Sequence, residues 1–451
     1  MRFLLLLSHQ HYTPADFSSK QVCRIVKGIM LDIRFIRENA DLVKAGAAKK
    51  HIEVDIDRLL QIDDERKSLR QQMDDKKAEQ NRMSDRIRLA KDDERNQLIE
   101  SMRHVKEGFA ELEAKYTGVM EEWQKLMLTV PNMPDMSVPE GESDAENQEV
   151  RTWGAVPQFS FTPKDHIELM TNLDMVDFER GTKVAGFRGY FLKGDGVLLA
   201  NALSQLALKH FMEKGFTPMY VPSMLRREMF MGTGYLPQGE EDLYRTQDNE
   251  YLAGTGEVAT MGYYMDEIVD PAQFPIKFLS YSPCFRREAG SHSKDTKGLI
   301  RVHEFFKWEQ VVLCEASHQK SVELHEELTQ NAEAFLQALN LPYHVVVNCG
   351  GDLGLGQVKK YDIEAWMPSQ DTYRETHSSS YFHDFQTRRL NIRYKDAEGK
   401  AQFAHSLNNT AVAMPRILSM LVENYQQEDG TIRVPEVLVP YVGKQVLGHS
   451  A

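Results

Sequence analysis

The stretch CFRREAGSHSKDTKGLIRVHEFFKWEQVVL, residues 284–313, sets ten charged side chains between two apolar runs. CFRRE leads out of one strand-like run and FFKWEQVVLCE re-enters another, so residues 289–300 read as the loop of a long β-hairpin. Side chains alternate along a strand, which puts Arg286 and Glu288 on one face of the outgoing arm and Phe305, Lys307 and Glu309 on one face of the return. Both arms can then address one polar ligand. A surface hairpin laced by salt bridges would account for the charges but not for a wide loop of Gly, Ser and Lys. Guanidinium forks match phosphate oxygens, so arginines can build a nucleotide site without a glycine-rich phosphate loop.

Around this hairpin lie short β-branched or aromatic runs: TPMYVPSM (217–224), IKFLSYSP (276–283), VVLCEAS (311–317) and YHVVVNCGG (343–351). They cluster without regularly alternating helices, which predicts an α+β domain on a mostly antiparallel sheet. No GxGxxG follows a strand and no GxxxxGK[ST] occurs; GGDLGLG, residues 350–356, lacks the phosphate-binding lysine and reads as a turn.

The first third of the chain has a different period. Leu59, Ile62, Arg66, Leu69, Met73, Lys76, Gln80, Met83, Ile87 and Ala90 step by three and four, and Leu98, Met102, Val105, Phe109, Leu112, Tyr116, Val119, Trp123 and Leu126 repeat the pattern. Two helices of this kind joined at AKDDERNQ predict an antiparallel hairpin about 50 Å long. Lys76 and Gln80 interrupt the seam, so the outer third is expected to be weakly packed. Between Lys76 and Lys106 nine Lys or Arg face six Asp or Glu, a modest basic excess suited either to solvent or to a phosphate backbone. Prolines, Gly141 and acids in VPNMPDMSVPEGESDAENQEV then stop helix formation. The expected division is an extension at 1–29, a helical arm at 30–130, a linker at 131–150 and a second domain at 151–451.

With 451 residues, 41% of them hydrophobic, the chain can bury more than one core, and its net charge of −13 leaves room for a local basic patch. Cys23, Cys284, Cys314 and Cys349 form no CxxC pair and no zinc spacing, as expected of a reduced cytoplasmic protein without structural metal. The apolar run Phe3–Leu7 is too short for a secretory signal or a membrane span. Arg2, Lys20, Arg24 and Lys27 against Asp16 are also the composition of an organelle transit peptide, but without an Arg-rich amphipathic helix residues 1–29 read rather as a loose tail or the product of an upstream start, with Met30 opening the fold.

Taken together, these segments resemble a seryl-tRNA synthetase of the class II aminoacyl-tRNA synthetases, from Met30 to the C-terminal region. The opening hairpin resembles the family's motif 2, EKGFTPMYVPSM (213–224) its motif 1 at the dimer interface, and AHSLNNTAVAMPRILSMLVENYQQEDGTIRVPEVLVPY (404–441) its motif 3. The two-helix segment resembles its tRNA-reading arm. The resemblance implies activation of L-serine with ATP to seryl-adenylate and pyrophosphate, then transfer of serine to tRNA(Ser) and also tRNA(Sec), by a cytoplasmic homodimer that needs no membrane. It implies that Arg286 and Arg416 are catalytic and that Thr255, Glu257, Arg286, Glu309 and Thr410 bind serine. Arg286, Glu288, Val302, Phe305, Glu375, Ser378 and Arg416 would bind ATP, with Glu375 and Ser378 also holding Mg2+. Gly256 and Arg287 depart from the family's usual Ala and Ser, and NNTAVAMPR is less glycine-rich than usual; none of these removes a contacting side chain. An amino acid to carrier-protein ligase would share the catalytic fold without needing the arm, and a non-catalytic RNA-binding paralogue would keep the arm while losing motif residues. Charging of tRNA and serine-dependent pyrophosphate exchange separate the three.

Overall fold

The described chain, residues 31–290 and 295–448 of this computed structural model, opens with two short helices, α1 (Ile33–Glu38) and α2 (Ala40–Lys49). The predicted 1–29 tail, with Cys23, lies outside these residues. Two long helices follow, α3 (Ile56–Leu89) and α4 (Asp92–Thr129), of 34 and 38 residues. Asp55 caps α3 by accepting from the Arg58 backbone N–H at 2.8 Å. The antiparallel pairing is fixed at the base, where Arg58 Nε donates to Glu122 Oε1 at 2.8 Å and the Arg66 guanidinium lies 4.8 Å from the Trp123 ring.

Two expectations for the hairpin need correction. The outer part is packed: Leu98, Met102 and Val105 on α4 are buried, so one helix supplies the apolar seam where Lys76 and Gln80 break it on the other. At the base the seam slips by one residue, with Met127 buried instead of Leu126, because α4 there packs into a cluster with Ile36, Val43, Leu355 and Phe385.

The base also contains a buried carboxylate. Asp63 is fully buried and takes ion pairs from Arg37 (2.8 Å), Arg66 (2.8 Å) and Lys67 (2.7 Å). Burial pushes its carboxyl up, but the bonds from Lys67, Arg37 and Arg66 outweigh that and hold it below the usual range. Arg37 comes from α1, so Asp63 ties the first helix to the hairpin.

The stretch after α4 is not a loose linker. Asn132 N–H donates to Leu355 O, Asp135 N–H to Val358 O and Gly350 N–H to Pro139 O, all within 2.8–3.0 Å. Strand β1 (Gln148–Trp153) begins before the predicted linker has ended, because it pairs with β5 (Tyr343–Val347), with a bulge between Glu149 and Arg151. The remaining strands of the same sheet are β2 (Thr217–Tyr220), β3 (Ile276–Phe285), β4 (Glu304–Cys314), β6 (Lys359–Met367), β7 (Thr372–His383) and β8 (His405–Ala413). Their order is β1-β5-β6-β7-β8-β4-β3-β2, and every pairing is antiparallel except β2 with β3. This is the predicted α+β architecture. Among the domain's helices, α5 (Gly194–Glu213), α6 (Gly256–Gly262), α7 (His318–Ala338) and α8 (Met414–Asn424) matter most for the core and the site. Leu199, Leu203, Leu328, Phe335, Ile417 and Leu421 from three of these helices are buried in the main core, each contributing about 1.5–3 kcal/mol of apolar burial.

Asp63→Asn should lower the unfolding free energy by about 2 kcal/mol, because three charge-assisted bonds are weakened. The folded carboxyl titrates below the unfolded value of about 3.9, so its contribution is present above that pH and is lost as pH falls through the folded value. Urea midpoints of the two proteins should therefore differ at neutral pH and converge in acid.

Candidate active site

Four central strands and two segments beside them converge on one end of the sheet. Arg286 follows the last residue of β3 and is held by its backbone, whose N–H donates to His303 O at 2.9 Å. Glu309 lies within β4, opposite Ser280 of β3 and Thr410 of β8. Glu375 and Ser378 lie on β7, opposite Glu364 and Asp362 of β6. Arg416 sits in the first turn of α8, where Pro415 occupies a position whose N–H needs no partner. Thr255 caps α6, and Glu257 is in that helix's first turn.

These residues line two neighbouring cavities. The first, of about 310 Å3, takes Thr255, Glu257, Glu309 and Ser378 into its wall. The second, of about 50 Å3, takes Glu288, Val302, Phe305 and Arg416. Arg286, Lys307, Glu375 and Thr410 line both. All the residues singled out from the sequence are thus brought together. Their local geometry differs from the expectation at one point: β3 ends at Phe285, so simple alternation cannot place Glu288 with Arg286. A left-handed backbone at Glu288, φ 55°, turns the chain there instead, and Arg301 Nη1 bonds Glu288 Oε2 at 2.8 Å.

Charges balance within the cavities. Glu309 is paired with Lys307 and accepts from Thr255 Oγ1 at 3.4 Å. Glu257 accepts from Gln386 Nε2 at 2.6 Å and Tyr235 Oη at 3.1 Å; burial still pushes its carboxyl up to about 7. Glu375 behaves oppositely. Burial pushes it up, but Arg416 at 3.2 Å, with Lys360 and Arg286, brings it down to about 2, so it stays ionised. The Arg286 guanidinium lies 5.5 Å from the Phe305 ring and donates through Nε to Gly254 O at 3.4 Å. A carboxylate in one cavity and a phosphate in the other could both reach this one cation.

Two family models match the chain: "Seryl-tRNA synthetase N-terminal domain" over residues 30–134 and "tRNA synthetase class II core domain (G, H, P, S and T)" over 241–425. The serine–tRNA ligase of Deinococcus radiodurans is 44% identical over 422 residues, 93% of this chain and 99% of the relative. The chain belongs to the seryl-tRNA synthetase family. The serine–tRNA ligase of Rubrobacter xylanophilus is 40% identical over 93% of this synthetase and 100% of the relative. The crystal structure of seryl-tRNA synthetase from Pyrococcus horikoshii complexed with ATP superposes with a TM-score of 0.85 at 36% identity, covering 94% of this chain and all of that one. That of the cytoplasmic serine–tRNA ligase from Naegleria fowleri in complex with AMP gives 0.82 at 32%, covering 94% and 99%.

Some parts of the synthetase's site carried no role in the sequence. Lys307 is visible there on the face of Phe305 and Glu309, yet only the structure pairs it with Glu309. The glycine-rich 350–356 stretch, expected as a turn, does turn, and its residues 354–356 also form cavity wall with Gln357. His166 and Glu423, which line neither cavity, carried no role in the sequence. The buried His166 donates through Nδ1 to Glu423 Oε1 at 2.8 Å and accepts the Leu299 N–H at Nε2, 3.1 Å. The Ser369 N–H bonds the other Glu423 oxygen at 3.0 Å. Gly298, at φ 84°, lets the returning hairpin pass this ring; a Cβ there would sit 2.3 Å from Nε2.

His166→Phe keeps ring volume but strands the Leu299 N–H and removes a donor from a buried carboxylate. It should lower the unfolding free energy by about 2–3 kcal/mol, measured by urea denaturation.

Proposed function

We propose that this synthetase activates L-serine with ATP and transfers the serine to tRNA(Ser), and to tRNA(Sec) as well, in the cytoplasm. The observation that carries this reading is the position of Arg286 in the wall common to two cavities, one sized and charged for a small amino acid and one flanked by Phe305 and Arg416. In the first step a serine carboxylate oxygen bonds to the α-phosphorus, the bond to the β-phosphate oxygen breaks, and pyrophosphate leaves. Two anions must approach for this, and Arg286 offsets their repulsion and the charge that grows at phosphorus. In the second step a ribose hydroxyl of the terminal adenosine attacks the seryl carbonyl and AMP leaves. Both steps rest on positioning and charge stabilisation, without a covalent enzyme intermediate.

In this reading Glu257 and Glu309 meet the serine ammonium and hydroxyl, with Thr255 and Thr410 supplying further polar partners. A buried site built on such pairs rejects alanine, because loss of the hydroxyl leaves its partners unsatisfied. Phe305 stacks on adenine, Glu288 accepts from its amino group, Val302 offers backbone contact, and Arg416 takes the γ-phosphate. Glu375, ionised, and the Ser378 hydroxyl line the same cavity and are the hard oxygen donors that Mg2+ prefers. When bound, that ion would neutralise phosphate charge.

The dimer reading rests on apolar surface. Val197, Leu198 and Met212 on α5, Tyr220 on β2 and Phe306 on β4 are exposed, and a further cavity of about 610 Å3 beside them is lined by Phe187, Tyr190 and Phe191. A second copy of the chain would cover this face. The exposed bases Lys77, Arg82, Arg86, Lys91, Arg95, Arg103 and Lys106 near the hairpin tip suit tRNA phosphates. Cytoplasmic residence fits the free, buried Cys284, Cys314 and Cys349.

Arg286→Ala should reduce serine-dependent pyrophosphate exchange by about 100-fold or more while leaving thermal unfolding unchanged. Exchange within a few-fold of the parent would overturn the assignment. Replacing residues 76–106 by a short glycine-containing turn should leave that exchange intact, lower tRNA(Ser) charging by about 100-fold or more, and flatten the salt dependence of tRNA binding. Charging assays with tRNA(Sec) test the second acceptor directly.

A further inference from the structure

Part of the wall of the cavity that holds Thr255 and Glu257 is the segment 354–357, between the turn at Gly350–Asp352 and β6. Its four consecutive backbone carbonyls all accept from residues that precede the catalytic sheet. Lys50 Nζ donates to Gly354 O at 3.1 Å, Leu355 O at 3.2 Å and Gln357 O at 2.5 Å. Asn132 Nδ2 donates to Gly356 O at 3.0 Å, and the Asn132 N–H to Leu355 O at 2.9 Å. Asn132 Nδ2 also reaches Phe382 O at 2.7 Å, on β7, and Phe382 lines the same cavity.

Lys50 is the C-cap of α2, in the arm domain, and is 3% exposed. Burial pushes its ammonium down to about 7, and no carboxylate lies among its hydrogen-bond partners. Three carbonyls instead meet its three N–H donors, the number only the charged form supplies. The approach is close throughout. A Cβ at Gly350 would lie 2.0 Å from Lys49 O, so the glycine there admits the end of α2 against the turn. With the carbonyls drawn outward, the segment's inner side is free to face the cavity. There the Gln357 side chain spans it, accepting from the Gly354 N–H at 2.6 Å and donating to Ser380 Oγ at 2.7 Å.

We infer that Lys50, with Asn132, is a positioning residue for amino-acid binding: the arm domain and the segment that follows it hold the 354–357 wall of the serine cavity in place from behind. Every wall residue of the cavity belongs to the catalytic domain, but the 354–357 part of the wall is anchored from outside it. The inference rests on the reading of the 310 Å3 cavity as the serine site. It predicts a selective effect, because the nucleotide cavity has no wall residue from 354–357.

Lys50→Met in the full-length chain should raise the KM for serine in pyrophosphate exchange by about 10-fold, with the KM for ATP changed less than about 2-fold. Lys49→Ala, which removes an ion pair to Glu140 at the same junction without touching the wall, should leave both unchanged. Lys50→Gln, which retains a donor of similar length, should fall between the parent and Lys50→Met. Should Lys50→Met fail to fold, Lys50→Gln and Asn132→Ser carry the test in the same assay. An unchanged serine KM, or equal rises for serine and ATP, would overturn the inference. A parent protein without serine-dependent exchange would overturn the proposed function instead.

Discussion

The pairing of β3 with β4, unbroken from Glu304 opposite Phe285 to Leu313 opposite Ile276, is the constraint on which the site depends. It sets Lys307 and Glu309 at fixed heights beside the point where Arg286 leaves the sheet. The next pairing, β4 with β8, brings Thr410 level with Glu309, and β7 beyond it brings Glu375 and Ser378. A slip of one residue in any of these ladders would turn the polar set to the opposite face. Apolar residues on β4, among them Trp308 and Val312 in the main core, make such a slip costly.

Charge is organised around the same frame. The chain is acidic as a whole, yet each of these three carboxylates of the cavities faces a cation or neutral donors. Glu375 has Arg416, Glu309 has Lys307, and Glu257 bonds the neutral Tyr235 and Gln386. Glu257 is buried with neutral donors beside it, whereas the Glu375 side chain is partly exposed and lies against Arg416, so desolvation dominates at the first and the cation at the second. Two carboxylates lining the same cavity are thereby tuned in opposite directions by what lies next to them.

The hairpin at 284–313 was legible because its charges are local in sequence and its flanks alternate. The long arm was legible because heptad spacing persists over many turns. The sequence left less trace where partners are far apart along the chain. Lys50 meets residues about three hundred positions away, and His166 meets Glu423 over a similar span, so no local pattern announces either. Residues 350–356 were readable as a turn, since glycine serves turns, but which surface the turn would face depends on packing that glycine content does not encode. The buried Leu98, Met102 and Val105 make the same point for the arm. A seam broken on one helix can be filled from the other.

The bulge in β1 affects how the sheet ends. An outer strand offers unpaired N–H and C=O groups on which a strand of another molecule can dock, a route to aggregation. At β1 the ladder is out of step between Glu149 and Arg151, and Arg151 is held back over the sheet by Glu333 at 2.7 Å and Glu326 at 2.8 Å. At the opposite border β2 is four residues long and contains Pro218, which has no N–H to offer. An eight-stranded sheet is thus closed to further growth at both borders by an irregular, charged strand on one side and a short, proline-bearing one on the other.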